Sequence, residues 1–173
     1  MNKDRSFYED SFSSIDELLN DEVDNLFPDY LMSFFGIDRG DILGFRALPE
    51  EYRKIVSVCL YEPQVIIGEM SEFIISSGFC INELLLMLDR FELSGSVKVL
   101  FAFNENYASL LGQKFSYENE DDLIDACSAE KDFADATPLL ISEAEGLLNS
   151  LQNYCLEHLD KLRKFEAEIS QND

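Results

Sequence analysis

The chain has 173 residues, of which 46% are hydrophobic and 12% aromatic, too many for a disordered acidic tail and enough to form a core without disulfides. Its 35 Asp and Glu residues against 13 Lys and Arg give a net charge of −22. Because phosphate binding needs the opposite sign, this charge excludes nucleic acid and anionic membranes as direct partners and favours a basic protein partner.

The cysteines and the first residues indicate a cytoplasmic protein. Cysteines 59, 80, 127 and 155 are far apart, lie among apolar neighbours and form no Cys-x-x-Cys motif, as is typical of reduced, buried thiols. The N-terminal sequence MNKDRSFYEDSF has no apolar signal-peptide core, and no run approaches 18 apolar residues. We therefore expect no secretion signal and no membrane span.

The first predicted helix follows a flexible N-terminus over residues 1–12 and begins a single all-helical acidic domain over residues 13–173. Ser14 and Glu17 match a capping box, with a hydroxyl at the N-cap and a carboxylate three residues later. The apolar spacing predicts that this helix continues until Pro28 ends it.

Acidic residues follow the outer face of this predicted helix and continue into the next one. Glu17, Asp21 and Asp24 have the i, i+4, i+7 spacing that brings side chains to one helix face. A second short helix is predicted over residues 29–35, closed by Gly36. The first candidate array of carboxylates is Asp16, Glu17, Asp21, Asp24 and Asp29.

The middle of the chain contains the most apolar predicted helix. Glycines predict a loop over residues 38–47, and Pro49 begins a helix with acidic residues in its first turn. Residues 63–78 then predict a separate helix that starts at Pro63, ends at Gly78 and is buried on most sides, because its polar stripe is narrow. We expect the other helices to assemble around it.

Val97 to Phe103, after the helix break at residues 94–96, fits two kinds of secondary structure. Its composition fits a strand, whereas apolar residues recur at helical spacing from Leu100 to Leu111. We favour the helix.

The C-terminal part predicts one long helix. Thr137 and Pro138 form a typical helix start, and apolar residues then repeat every seven residues as far as Ile169. The helix either packs within a single-chain bundle or also packs against a second copy of the chain, which makes a homodimer an expectation. The predicted class is all-α, a compact multi-helix domain with a long C-terminal helix.

The sequence contains no clear motif for catalysis, phosphate binding or metal binding. His158 is the only histidine and lies on the apolar seam, so a nucleophile–histidine relay is not favoured. No glycine-rich phosphate-binding loop occurs. The acidic stretch Tyr117 to Asp125 lacks the central Gly and terminal Glu of an EF-hand. We therefore expect no enzyme activity, no cofactor and no metal.

The charge density of the chain is comparable with that of DNA. At about one charge per 1.7 Å of duplex, 22 charges correspond to roughly 37 Å. A compact chain of this length has a radius of gyration of about 16 Å and a diameter of roughly 40 Å. A second candidate array lies in the most acidic region and consists of Glu118, Glu120, Asp121, Asp122 and Asp125.

Residues 48–78 carry a resemblance to a known family. The sequence LPEEYR at residues 48–53 and VIIGEMSEFIISSG at residues 65–78 resemble a bacterial DNA-mimic protein family of small helical proteins, which has a small acidic neisserial member. Many members have Asn-Gly-Gly-Phe where this chain has Ile-Gly-Glu-Met. The resemblance implies a dimer with a DNA-like acidic surface that keeps a helix-turn-helix transcription factor off its operator. It implies no catalytic residues.

Three hypotheses follow for the function. The leading one is a DNA mimic whose two carboxylate arrays bind a basic DNA-binding protein. The alternative is an acidic chaperone or immunity-type protein that binds one basic protein partner. A metal-binding or hydrolytic enzyme is the least favoured.

Overall fold

The computed structural model describes residues 6–67, 73, 76–102 and 131–171. Helices and turns, with no strand, make up these ranges, which confirms the all-α prediction. The helices are α1 Ser6–Glu9, α2 Ile15–Asn20, α3 Phe27–Phe35, α4 Ile42–Ala47, α5 Glu50–Ile66, a 3₁₀ turn Gly78–Cys80, α6 Ile81–Arg90, α7 at residues 94–102, α8 Lys131–Ala144, α9 Leu147–Glu157 and α10 Leu159–Ser170. None of the described helices is both long and apolar enough to cross a membrane.

The central element of the domain is α5. Every residue from 55 to 61 is buried, and α5 packs against α3, α4, α6, α8 and α9. Burial all round fits a helix enclosed by others, because a surface helix leaves a polar face in water. Among the described residues, the central position that was predicted for a helix over residues 63–78 belongs to α5, which contains residues 63–66.

The prediction of a separate helix beginning at Pro63 is wrong, because Pro63 lies inside α5. Val65, one turn after Tyr61, is fully buried and continues the same apolar face. Ile66 and Ile67 were expected to be buried, but they are 42% and 63% exposed. Phe73 is buried as predicted, with its ring centroid 5.4 Å from that of Tyr61.

The N-terminal helices are shorter than the sequence predicted. Ser14 caps α2 by accepting a hydrogen bond from the backbone of Glu17, at 3.3 Å, as the capping box predicted. However, α2 ends at Asn20, and Pro28 belongs to the first turn of α3 instead of ending α2. The predicted helix as far as Pro28 is therefore wrong. Gly36 closes α3 as predicted, with φ 64°.

Residues 6–12 fall in the segment that was expected to be flexible, yet Ser6–Glu9 form α1 and Tyr8 is buried. Tyr8 is 2% exposed, and its backbone N–H donates to Ser33 Oγ at 3.1 Å. The loop predicted over residues 38–47 is helical in its second half, where α4 spans Ile42–Ala47. The Asp41 carboxylate caps this helix by accepting a hydrogen bond from Gly44 N at 3.0 Å.

The start of α7 is capped by a carboxylate from α8. Glu143 accepts hydrogen bonds from Gly95 N at 3.0 Å and Ser96 N at 2.6 Å, two backbone donors that the first turn of a helix leaves unpaired. The helical prediction for Val97 to Phe103 is confirmed as far as residue 102. The helix begins at Ser94, within the residues that were expected to be a break.

The C-terminal part consists of three helices, and the last of them, with 12 residues, confirms a C-terminal helix that is shorter than predicted. The unbroken helix predicted from Thr137 to Ile169 is wrong, because Gly146, with φ 82°, separates α8 from α9, and His158 separates α9 from α10. The apolar seam nevertheless faces the core of the chain. Its fully or nearly fully buried members are Ala144, Leu148, Leu151, Cys155 and Leu162.

Candidate functional site

The first carboxylate array lies on three different local structures instead of one helix face. Asp16 and Glu17 are in the first turn of α2, and Asp29 is in the first turn of α3. Asp21 caps the C-terminus of α2 with extended backbone, and Asp24 follows in a non-helical segment. The predicted outer face shared by Glu17, Asp21 and Asp24 therefore does not exist.

Two members of the array are bound by arginines of the same chain. Arg163 Nε donates to Asp16 Oδ2 at 2.9 Å, and its Nη2 donates to Asp16 Oδ1. These hydrogen bonds lower the pKa of Asp16. Arg39 Nη2 lies 3.1 Å from Asp29 Oδ1. A partner would meet these carboxylates already paired with a positive charge.

The carboxylate of Glu17 also has an internal partner, although a neutral one. Ser13 N and Ser13 Oγ both donate to Glu17 Oε2 at 2.7 Å, which lowers the pKa of Glu17. The capping box thus closes on the residue before the N-cap instead of on Ser14 itself. The charge of Glu17 stays exposed, but its position is fixed.

The most open negative charge belongs to residues 21–24, which we call the acidic linker. Asp21, Glu22 and Asp24 are exposed, and no Lys or Arg of the described ranges forms an ion pair with any of them. Local hydrogen bonds from backbone N–H groups to side-chain carboxylates hold the linker. Asp21 Oδ1 accepts from Glu22 N at 2.9 Å, and Asp24 Oδ1 accepts from Leu26 N at 2.8 Å. Short Asp side chains favour such local hydrogen bonds over a helix.

A side chain from α9 fixes the acidic linker to the domain. Gln152 Nε2 donates to Leu19 O and to Asp21 O, both at 3.0 Å. Glu22 was missing from the predicted array because a continuous helix would have turned it away from Asp21 and Asp24. The signal that could have revealed it is the density of like charges, which disfavours a helix through residues 16–24.

Seven basic residues of the described ranges form ion pairs with carboxylates of the same chain. Each pair neutralises one carboxylate, and the carboxylates in excess give the other surfaces their negative charge. The further pairs are Arg53–Glu83 at 3.0 Å, Lys54–Glu50 at 2.7 Å, Arg90–Glu157 at 2.7 Å, Lys161–Glu51 and Lys164–Glu168 at 3.7 Å.

The second predicted array, at residues 118–125, lies outside the described residues, as does the region around it from 103 to 130. Its members are Glu118, Glu120, Asp121, Asp122 and Asp125, and they remain predictions.

The groups that a nucleophilic enzyme would need are engaged in packing. His158 Nδ1 lies 2.9 Å from Tyr154 O, and the two rings stack with centroids 4.3 Å apart. Cys155 is fully buried, and burial raises the pKa of its thiol. Within the described part of the chain, no group of three or more His, Cys, Asp or Glu residues could hold a metal ion.

Comparison of the chain with protein-family models, with curated proteins and with solved structures found no match. The resemblance of residues 48–78 to a DNA-mimic family therefore stays a prediction.

Proposed function

We propose that this protein is a DNA mimic that binds a basic DNA-binding protein and prevents it from binding its operator. The observation that carries the proposal is the acidic linker, whose three exposed carboxylates have no internal cation among the described residues. Exposed carboxylates without an internal cation can pair with the basic side chains that normally contact DNA phosphates.

The chain as a whole supports the same kind of partner. The net charge of −22 attracts basic surfaces at long range and speeds their association. The resemblance of residues 48–78 adds the expectations of a helix-turn-helix transcription factor as the partner and of a homodimer as the active form. The array at residues 118–125 would extend the acidic surface.

The test is displacement of a helix-turn-helix repressor from fluorescent operator DNA at low salt, where the contact is least screened. The repressor is first identified by co-purification from lysate. The variant D21N/E22Q/D24N should weaken displacement roughly 3- to 100-fold, the effect of three exposed ion pairs. The matched control, D38N/D89N/E92Q, neutralises three exposed carboxylates elsewhere and removes the same charge.

Equal weakening by the two triple variants would mean that only the net charge matters, and would contradict a role for the acidic linker. No displacement at low salt by the unmodified protein would contradict the DNA-mimic proposal. If the co-purified partner has no affinity for nucleic acid, the alternative of an acidic chaperone or immunity-type protein would replace it.

A further inference from the structure

A groove of about 370 Å³ lies between α1 and α10, beside the ion pair of Asp16 and Arg163. This volume is at the lower end of the range for ligand sites and is enough for one long side chain. Its lining includes Phe12, Ser13, Arg163, Glu166, Ala167 and Ser170.

The positive charge in the groove is already compensated. All three nitrogens of the Arg163 guanidinium donate to carboxylates. Nε and Nη2 donate to Asp16, and Nη1 donates to Asp160 Oδ1 at 3.2 Å. One arginine between two aspartates leaves a net negative charge. An anionic ligand would therefore meet repulsion here, whereas a cation would meet attraction.

The groove also offers an acceptor and an aromatic surface to a cation. Glu166 Oε1 accepts from Tyr8 Oη and from Ile15 N, both at 2.9 Å, and these bonds fix the carboxylate. Among the described residues, Glu166 Oε2 accepts no hydrogen bond. Phe12 lines the same groove and is held edge-on against Tyr30, with centroids 4.9 Å apart.

We propose that this groove binds an arginine side chain of the basic protein partner, an inference that rests on the proposed function for the nature of that partner. A guanidinium is planar, stacks on aromatic rings and pairs with carboxylates through a fixed set of donors, so it suits a groove lined by both Phe12 and Glu166. Ser13 of the groove precedes α2 and the acidic linker follows it, so the two sites are separated by one short helix.

The direct test is an NMR titration of ¹⁵N-labelled protein with N-acetyl-arginine amide, and with the uncharged N-acetyl-citrulline amide as the control ligand. We expect saturable shifts of the Ser13, Ala167 and Ser170 amides with the arginine compound alone. Ala167→Leu fills the groove and should weaken binding at least ~10-fold. Ala47→Leu, at an exposed helical position on α4, should leave binding unchanged. Ser170→Leu is a second blocking variant if Ala167→Leu does not fold.

Absence of saturable shifts, equal shifts with citrulline amide, or unchanged binding after either blocking substitution would overturn the groove proposal. The two proposals can fail separately. Arginine amide binding without operator displacement would contradict the DNA-mimic function and leave the groove proposal standing. Operator displacement that is equally strong in Ala167→Leu and Ala47→Leu would remove the groove from the partner-binding surface and leave the DNA-mimic function standing.

Discussion

Asp16 and Arg163, 147 residues apart in the chain, are joined by two hydrogen bonds between one carboxylate and one guanidinium. The pair connects α2 with α10, and it removes one carboxylate from the acidic surface that a basic partner would meet. The same arginine also holds Asp160. Arg163 therefore limits the acidity of this part of the surface.

Replacing Arg163 with Gln should strengthen operator displacement roughly 2- to 5-fold at low salt, because Asp16 and Asp160 become available to the partner. The measurement is the protein concentration that gives half-maximal displacement. Lys164→Gln is the matched control, since it makes the same change in net charge, from −22 to −23, one residue further along α10. If the two substitutions act equally, the local release of Asp16 is not the cause.

Glu166→Ala should lower the free energy of unfolding by about 1–3 kcal/mol, because Ile15 N and the hydroxyl of the buried Tyr8 lose their acceptor. Glu166→Gln keeps an acceptor oxygen and should lower the free energy of unfolding by less. The measurement is urea denaturation followed by circular dichroism. The exposed Glu168, which lies 3.7 Å from Lys164, provides the control, and its replacement by Ala should change stability by about 0.5 kcal/mol or less. Equal losses at the two positions would contradict this role for Glu166.

Gly95→Ala should destabilise the protein, although the same change in an ordinary helix is stabilising. A Cβ atom at Gly95 would lie 2.5 Å from Glu143 Oε1 and 2.9 Å from Leu139 Cδ2. The Glu143 carboxylate would have to leave the N-terminus of α7, at a cost of about 0.5–2 kcal/mol, the typical value of a cap.

A double-mutant cycle in urea denaturation measures this coupling. In a Glu143→Ala background the cap is already lost, so adding Gly95→Ala should cost less than it does in the unmodified protein. An equal cost in both backgrounds would mean that the contact with Glu143 does not decide the effect.

Glu62→Gln should stabilise the protein at neutral pH. Burial raises the pKa of Glu62 above its ordinary value of 4.5. Below 4.5 the carboxyl is neutral in both the folded and unfolded states, and as the pH rises through the raised pKa the folded state loses stability. The gain from Gln should therefore be present at pH 7 and disappear in acid. Urea midpoints between pH 4 and pH 8 test this, with the exposed Glu145→Gln as control. A gain that does not depend on pH would contradict it.

The helical class and much of the core followed from apolar spacing, but element boundaries depended on contacts between distant residues. Pro63 and Pro138 both predicted helix starts, yet both lie inside longer helices. In α5 the buried face continues from Tyr61 to Val65, so tertiary packing outweighs the local preference of proline for a helix start.

The candidate surface was predicted by composition and not by geometry. The composition indicated the acidic region around α2, but the prediction placed Asp21 and Asp24 on one helix and therefore omitted Glu22. It could not indicate that Arg163 and Arg39 would bind Asp16 and Asp29, because those pairs form only when separate elements pack together.

The junction of α1 and α2 with α10 has a consequence for synthesis of the chain. Tyr8 and Ile15 share the acceptor Glu166, which lies 158 and 151 residues further along the chain. Contacts between such distant residues slow folding, since a long loop must close before they form. During synthesis α1 can contact α3, as Tyr8 contacts Ser33, long before Glu166 is made. The acidic surface around Asp16 therefore takes its final arrangement only after α10 has been made and has packed against α2.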